Sequence, residues 1–172
     1  MVCKVRPENS YPNRTRITIG GNRITFPGDV STPTASLELA KLVFSSVLSH
    51  PGAKFTTFDI CNFYLQTPLD RLEYFRVRLS DIPDKFVQEY NLLAYTRDGW
   101  VYFEIWRGVY GLPQSGMLSN KLLGQRLNKA GYYQFPTSPG IWRHKWRPIL
   151  FFIIVDDFGI EYVGKRHAYH LT

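Results

Sequence analysis

Cysteine is almost missing from this sequence. Cys3 and Cys61 are the only two in 172 residues, too few for a disulfide framework or a four-cysteine zinc site. Long hydrophobic runs are missing too. The longest, Ile149 to Val155, has 7 residues, where a membrane span needs about 20. The opening MVCKVRPENS has no apolar block of the secretory type, so a reduced, intracellular setting is expected. Acids are in the minority, 14 Asp and Glu against 21 Lys and Arg. The resulting +7 charge and pI near 9.5 favour a polyanionic partner. Aromatics are plentiful, with 12 Phe, 11 Tyr and 4 Trp, and suit a core, half-exposed strand faces or base stacking. With 44% hydrophobic and 20% charged residues, the chain has the composition of a packed domain, or a piece of a larger one.

No internal repeat or low-complexity tract interrupts the chain. Residues 1–28 are the most basic stretch, with Lys4, Arg6, Arg14, Arg16 and Arg23 against Glu8 alone. Within it RTRITIGGNRITF predicts two short strands joined at Gly20-Gly21-Asn22. PGDVSTPT is turn-rich, and Pro33 suits the first turn of a helix capped by Thr32. Leu37, Ala40, Val43, Phe44, Val47 and Leu48 then recur at helical spacing, and His50-Pro51-Gly52 ends the helix. Strands are expected over 54–60, over 73–79 and over 100–106. In the second, Phe75, Val77 and Leu79 face one way and Tyr74, Arg76 and Arg78 the other. After Pro113, Leu118, Leu122, Leu123, Leu127 and Ala130 outline a second helix, closed by Gly131. ILFFIIV (149–155) and FGIEYVG (158–164) flank Asp156-Asp157 as a hairpin, and Asp-Asp is not a favoured turn pair. Conflicts of that kind gather at functional sites.

The acids have a context. A seven-residue apolar run reads as a buried strand, and ending it in Asp156-Asp157 sets charge at the mouth of the core. Like charges held so close repel unless a cation binds between them. Hard cations such as Mg²⁺ take one or two carboxylates plus substrate phosphates. Asp59 ends another strand, so two strands deliver acids to one sheet edge. The plain alternative, three solvated loop acids, stays open on spacing alone.

Four motifs in order carry a resemblance. Asn-Arg-Thr-Arg-Ile-Thr (13–18), Phe58-Asp59-Ile60-Cys61-Asn62-Phe63-Tyr64-Leu65, Val109-Tyr110-Gly111-Leu112-Pro113-Gln114-Ser115-Gly116 and Ile154-Val155-Asp156-Asp157 are similar to motifs of the reverse transcriptase domain of LTR retrotransposons, copia type. Departures are Ser115-Gly116 for the usual Ala-Pro, Phe63 for a usual Ala, and Ile154 for the Tyr before Val-Asp-Asp.

The resemblance implies an α+β fold: a right-hand polymerase palm of antiparallel strands backed by two helices, with part of the fingers. Residues of about 1–53 would be fingers-like and about 54–172 palm-like, stopping before the thumb. It implies RNA-directed DNA polymerase activity, in which a primer 3′-hydroxyl attacks a deoxynucleoside triphosphate with two Mg²⁺ or Mn²⁺ ions. Asp59 and Asp156 would bridge both ions, and Asp157 would be the third, weaker ligand. Arg14 and Arg16 would grip the triphosphate, Tyr110 and Gly111 would touch the nucleotide, and Tyr64 would exclude a 2′-hydroxyl. Lys165 and Arg166 would meet nucleic-acid backbone, while His167 and His170, with no acid or cysteine beside them, read as non-ligands. Template–primer would be the partner, as would the rest of a retroelement polyprotein (thumb, ribonuclease H, integrase), in the cytoplasm or in virus-like particles and without a membrane. The alternatives are a catalytically inactive nucleic-acid-binding remnant and a metal-dependent phosphohydrolase using the same acids.

Overall fold

The computed structural model describes residues 2–5, 7, 13–16 and 18–171. They form a mixed α+β structure with three antiparallel sheets and four α-helices among the described residues. The chain divides into two compact units, each made of two stretches: Met1–Thr25 with Tyr64–Ser115, and Phe26–Phe63 with Gly116–Thr172.

In the first unit β1 (Val2–Val5) pairs antiparallel with β2 (Asn13–Arg16). The expected hairpin over 14–26 does not form. Gly21–Arg23 is a 3-10 turn and residues 24–26 hold no strand. The reason is a long-range contact: Ile19 N–H donates to the carbonyl of Tyr110 at 2.8 Å, so the glycine-rich segment docks on another part of its unit rather than folding back on β2. The unit's other sheet has the order β4-β6-β5, with β4 (Pro68–Arg78), β5 (Thr96–Arg97) and β6 (Trp100–Arg107). The alternation expected for β4 is present. Phe75 and Val77 are half-buried, Tyr74, Arg76 and Arg78 exposed, and Phe75 stacks on Phe103 with centroids 5.0 Å apart. A short helix, α2 (Asp84–Glu89), lies between β4 and β5 in sequence; its six residues are too few for a periodic signal to stand out.

The second unit is a five-stranded sheet ordered β3-β10-β9-β8-β7, from β3 (Lys54–Asp59), β7 (Tyr132–Gln134), β8 (Ile141–His144), β9 (Ile149–Ile154) and β10 (Asp157–Tyr162). Both sides of β9 are apolar, because each faces a hydrophobic layer. Phe151, Ile153, Phe158 and Ile160 form one layer with Leu123 and Leu127 of α3 (Ser115–Lys129). Phe152 and Ile141 form the other with Ala40 and Val43 of α1 (Leu37–Ser49). Gly159 makes this possible: it sits opposite Phe152 in the ladder, and a Cβ there would lie inside the Phe152 ring. A helix thus packs on each face. The cap of α1 is Ser36 rather than Thr32, its Oγ accepting from Leu39 N–H at 3.3 Å. Residues 29–35 stay outside the helix, and Ala35 N–H bonds Ile153 O at 3.0 Å, which ties that stretch to the end of β9. The four-residue α4 (Lys165–Ala168) follows β10.

Candidate functional site

The acids sit at one end of the five-stranded sheet. In the β3–β10 ladder Asp59 is directly opposite Asp157. Ile60 N–H bonds Asp156 O at 3.1 Å, which makes the next pair, Asp59 and Asp157, a non-hydrogen-bonded one, where side chains come closest. Both are exposed and share the face that carries Phe55, Phe152 and Glu161. Like charges directly opposite in a ladder destabilise it. The sheet therefore gains nothing from this pairing by itself.

The connection beside them is also costly. Because Asp157 pairs with Ile154, the hairpin loop is the two residues Val155-Asp156, not Asp156-Asp157. Val155 has φ 61°, and Asp156 is not among the positive-φ residues. A positive φ only at the first central position is the type II′ pattern, where glycine is preferred, and a β-branched residue there is a strained outlier. So the acid facing Asp59 is Asp157, while Asp156, half-buried, occupies the turn. Sequence reasoning found the three acids but missed Val155. The absence of glycine from a two-residue hairpin was its one available signal.

Two exposed, opposed carboxylates fit a hard divalent cation, which needs only one or two protein carboxylates beside substrate oxygens. Among the described residues no group of three or more His, Cys, Asp or Glu side chains stands where one ion would be shared.

The residues matched to nucleotide contacts lie in the first unit. Tyr64, half-buried in a 3-10 turn, meets the Tyr110 ring edge-on, centroids 4.8 Å apart at 74°. Gly111 has φ 95°, and a Cβ on it would run into the carbonyl of Ile19; a Cβ on Gly21 would run into the carbonyl of Gly111. The two glycines let two backbones of one unit touch. Gly111 is thus required by the fold, whatever it does for a ligand. Its neighbours lock the same turn. Ser115 Oγ accepts from Val109 N–H at 3.0 Å and donates to Val109 O at 2.9 Å. Buried Gln114 donates to Glu73 Oε1 at 2.8 Å, which also receives Arg71 Nε at 2.8 Å. Arg14 and Arg16 are in β2, opposite Lys4 and Val2; their side chains fall outside what is described. Phe63 is buried.

Lys165 and Arg166 are exposed on α4, at the opposite end of the sheet from the acids. Around them lies a cluster that sequence spacing did not reveal. His144 Nδ1 accepts from Trp146 and Arg147 N–H, both at 3.2 Å, and its Nε2 is 3.2 Å from Ala130 O. This makes the ring neutral, with the proton on Nε2. Tyr132 Oη is 2.9 Å from His170 Nδ1, and an Arg147 guanidinium nitrogen is 3.3 Å from His167 Nδ1. Burial, followed by the charge of Arg147, holds His170 below its ordinary pKa. For His167 burial is followed by the charges of Arg166 and Arg147. Burial lowers His144 too, partly offset by its bond to Ala130. Burial pushes the Tyr132 hydroxyl up to about 12.

Compared with protein-family models, with curated proteins and with solved structures, the chain matches none.

Proposed function

We propose that the chain is part of a reverse transcriptase, an RNA-directed DNA polymerase of the retrotransposon type, with the second unit as its palm-like part. The observation that carries this reading is the pair Asp59–Asp157, set face to face at the ends of two antiparallel strands beside a strained Val155-Asp156 turn. A fold retains repulsion and backbone strain at one place when the place has a use. Asp59 and Asp157, with Asp156 adjacent, would hold the divalent ions. Bound there, such ions activate an attacking hydroxyl and neutralise a leaving pyrophosphate. The chain's own share is positional. The β3–β10 ladder fixes two carboxylates, and the tight turn sets the backbone of the third. The roles that the resemblance assigns to Arg14, Arg16, Tyr64, Tyr110 and Gly111 toward a deoxynucleoside triphosphate, and to Lys165 and Arg166 toward template–primer, belong to the same proposal.

The test is Mg²⁺- or Mn²⁺-dependent extension of oligo(dT) on poly(rA), with Asp59→Asn beside the unsubstituted chain. Elongation that the substitution abolishes supports the polymerase. A primer that is shifted in a gel but never lengthened supports the non-catalytic remnant, and a shortened primer supports the phosphohydrolase.

A further inference from the structure

The outward face of the β4-β6-β5 sheet has a composition that a solvated sheet surface does not need. Ladder register puts Arg78 beside Trp100 and Trp100 beside Arg97, then Arg76 beside Tyr102, then Tyr74 beside Glu104. Trp106 follows on the same side of β6 by alternation. Tyr74 is 60% exposed, Tyr102 51% and Trp106 65%. On the opposite face Val101 and Ile105 are buried and Phe75, Val77 and Phe103 half-buried, so the sheet's apolar side is that one. Arg76 and Arg78 lie over the Trp100 ring, their guanidinium carbons 4.4 and 5.2 Å from its centroid. Stacking of this kind holds each guanidinium flat and in place. Three arginines and one glutamate leave the face net positive.

We propose that this face binds single-stranded nucleic acid, with Tyr74, Tyr102 and Trp106 stacking on unpaired bases and Arg76, Arg78 and Arg97 meeting the phosphates. The chemistry is specific to single strands. Rings standing on a flat sheet take bases by their faces, and paired bases in a duplex do not offer those faces. Charge complementarity selects the occupant: an apolar protein segment leaves the arginines unmatched, and an acidic one leaves the rings uncovered. The proposal uses only side chains of the first unit. It stands whether or not the acids of the second unit carry out chemistry.

The experiment is fluorescence anisotropy of the whole chain with labelled dT and rU 12-mers and a blunt duplex, in a salt series. Single strands are expected to bind in preference to the duplex. Tyr102→Ala and Tyr74→Ala should each weaken that binding roughly tenfold, and Tyr→Phe at either position should restore it. Arg76→Gln should make the plot of log affinity against log salt shallower by about 0.7. Tyr169→Ala, an exposed ring of the other unit, should change nothing. Equal binding of rU and dT fits stacking alone, while a preference for rU adds a contact to the 2′-hydroxyl; both support the surface. Four results overturn it: no binding, duplex preferred, Tyr74→Ala/Tyr102→Ala binding like the parent, or polyglutamate competing as well as poly(rU). Asp59→Asn separates the two readings. A variant that still binds the 12-mers but extends no primer leaves this surface standing, and one that extends normally removes the polymerase proposal alone.

Discussion

The two ends of the five-stranded sheet solve opposite problems. At the far end, where α4 follows β10, three histidines, a tyrosine and an arginine are packed together and bonded to one another or to backbone. Burial holds all three histidines below their ordinary pKa, and the bonds of His144 to Ala130, Trp146 and Arg147 hold the β8–β9 connection. At the acid end two carboxylates face each other across a ladder, and a valine turns with φ 61°. One end spends its polar chemistry on the fold. The other carries repulsion and strain that the fold does not need.

The strongest way to test that contrast is to remove the repulsion. Asp157→Asn should cut primer extension roughly a thousandfold, the several kcal/mol a metal-held charge supplies at a transition state. The same change should raise thermal stability slightly, because opposed like charges cost about 0.2–1 kcal/mol. Calorimetry showing a less stable variant would make Asp157 a structural residue. Next in size is the strand that joins the two ends. Gly159→Val drives a side chain into the Phe152 ring and should cost about 1–3 kcal/mol in urea unfolding, lowering both ends together; an unchanged midpoint would contradict the packing. Val155→Gly should stabilise the hairpin by about 1 kcal/mol, strain relief less the added entropy of the unfolded chain, while extension falls. If stability drops instead, the turn is not strained. The smallest effect concerns pH at the histidine end. The folded pKa values of His144, His167 and His170 lie below the ordinary value, so the unfolded chain takes up protons first. Stability should hold above about pH 6.5 and fall below it. Because protonated His144 Nδ1 no longer accepts the N–H groups of Trp146 and Arg147, hydrogen exchange of those two amides should quicken first. Exchange that is flat from neutral to mildly acid pH would remove the histidines from that role.

What could be read in advance followed the range of the forces. Helix α1 declared itself through Ala40 and Val43 and stopped where Pro51 and Gly52 require it. Helix α3 and β4 showed their periodicity and β9 its unbroken apolar run, since spacing and local composition are properties of neighbouring residues. Strands β7 and β8, only three and four residues long, left too little pattern to recognise.

By itself the sequence determined the apolar strand at 149–154, the acids at its end, the basic balance and the class of fold, because each depends on residue type and local spacing. Only the tertiary structure decided which acid faces Asp59. A ladder register is set by the whole hydrophobic layer, and a one-residue slip would turn Phe151 and Phe152 to each other's faces. Packing also decided that Gly20-Gly21 does not make a hairpin. The tight turn there would have been locally favourable, but the contact of Gly21 with Gly111 and the bond from Ile19 to Tyr110 lie about 90 residues away in sequence. The same long-range pairing assembled an aromatic and arginine face from β4, β5 and β6, a surface that no single segment of the chain contains.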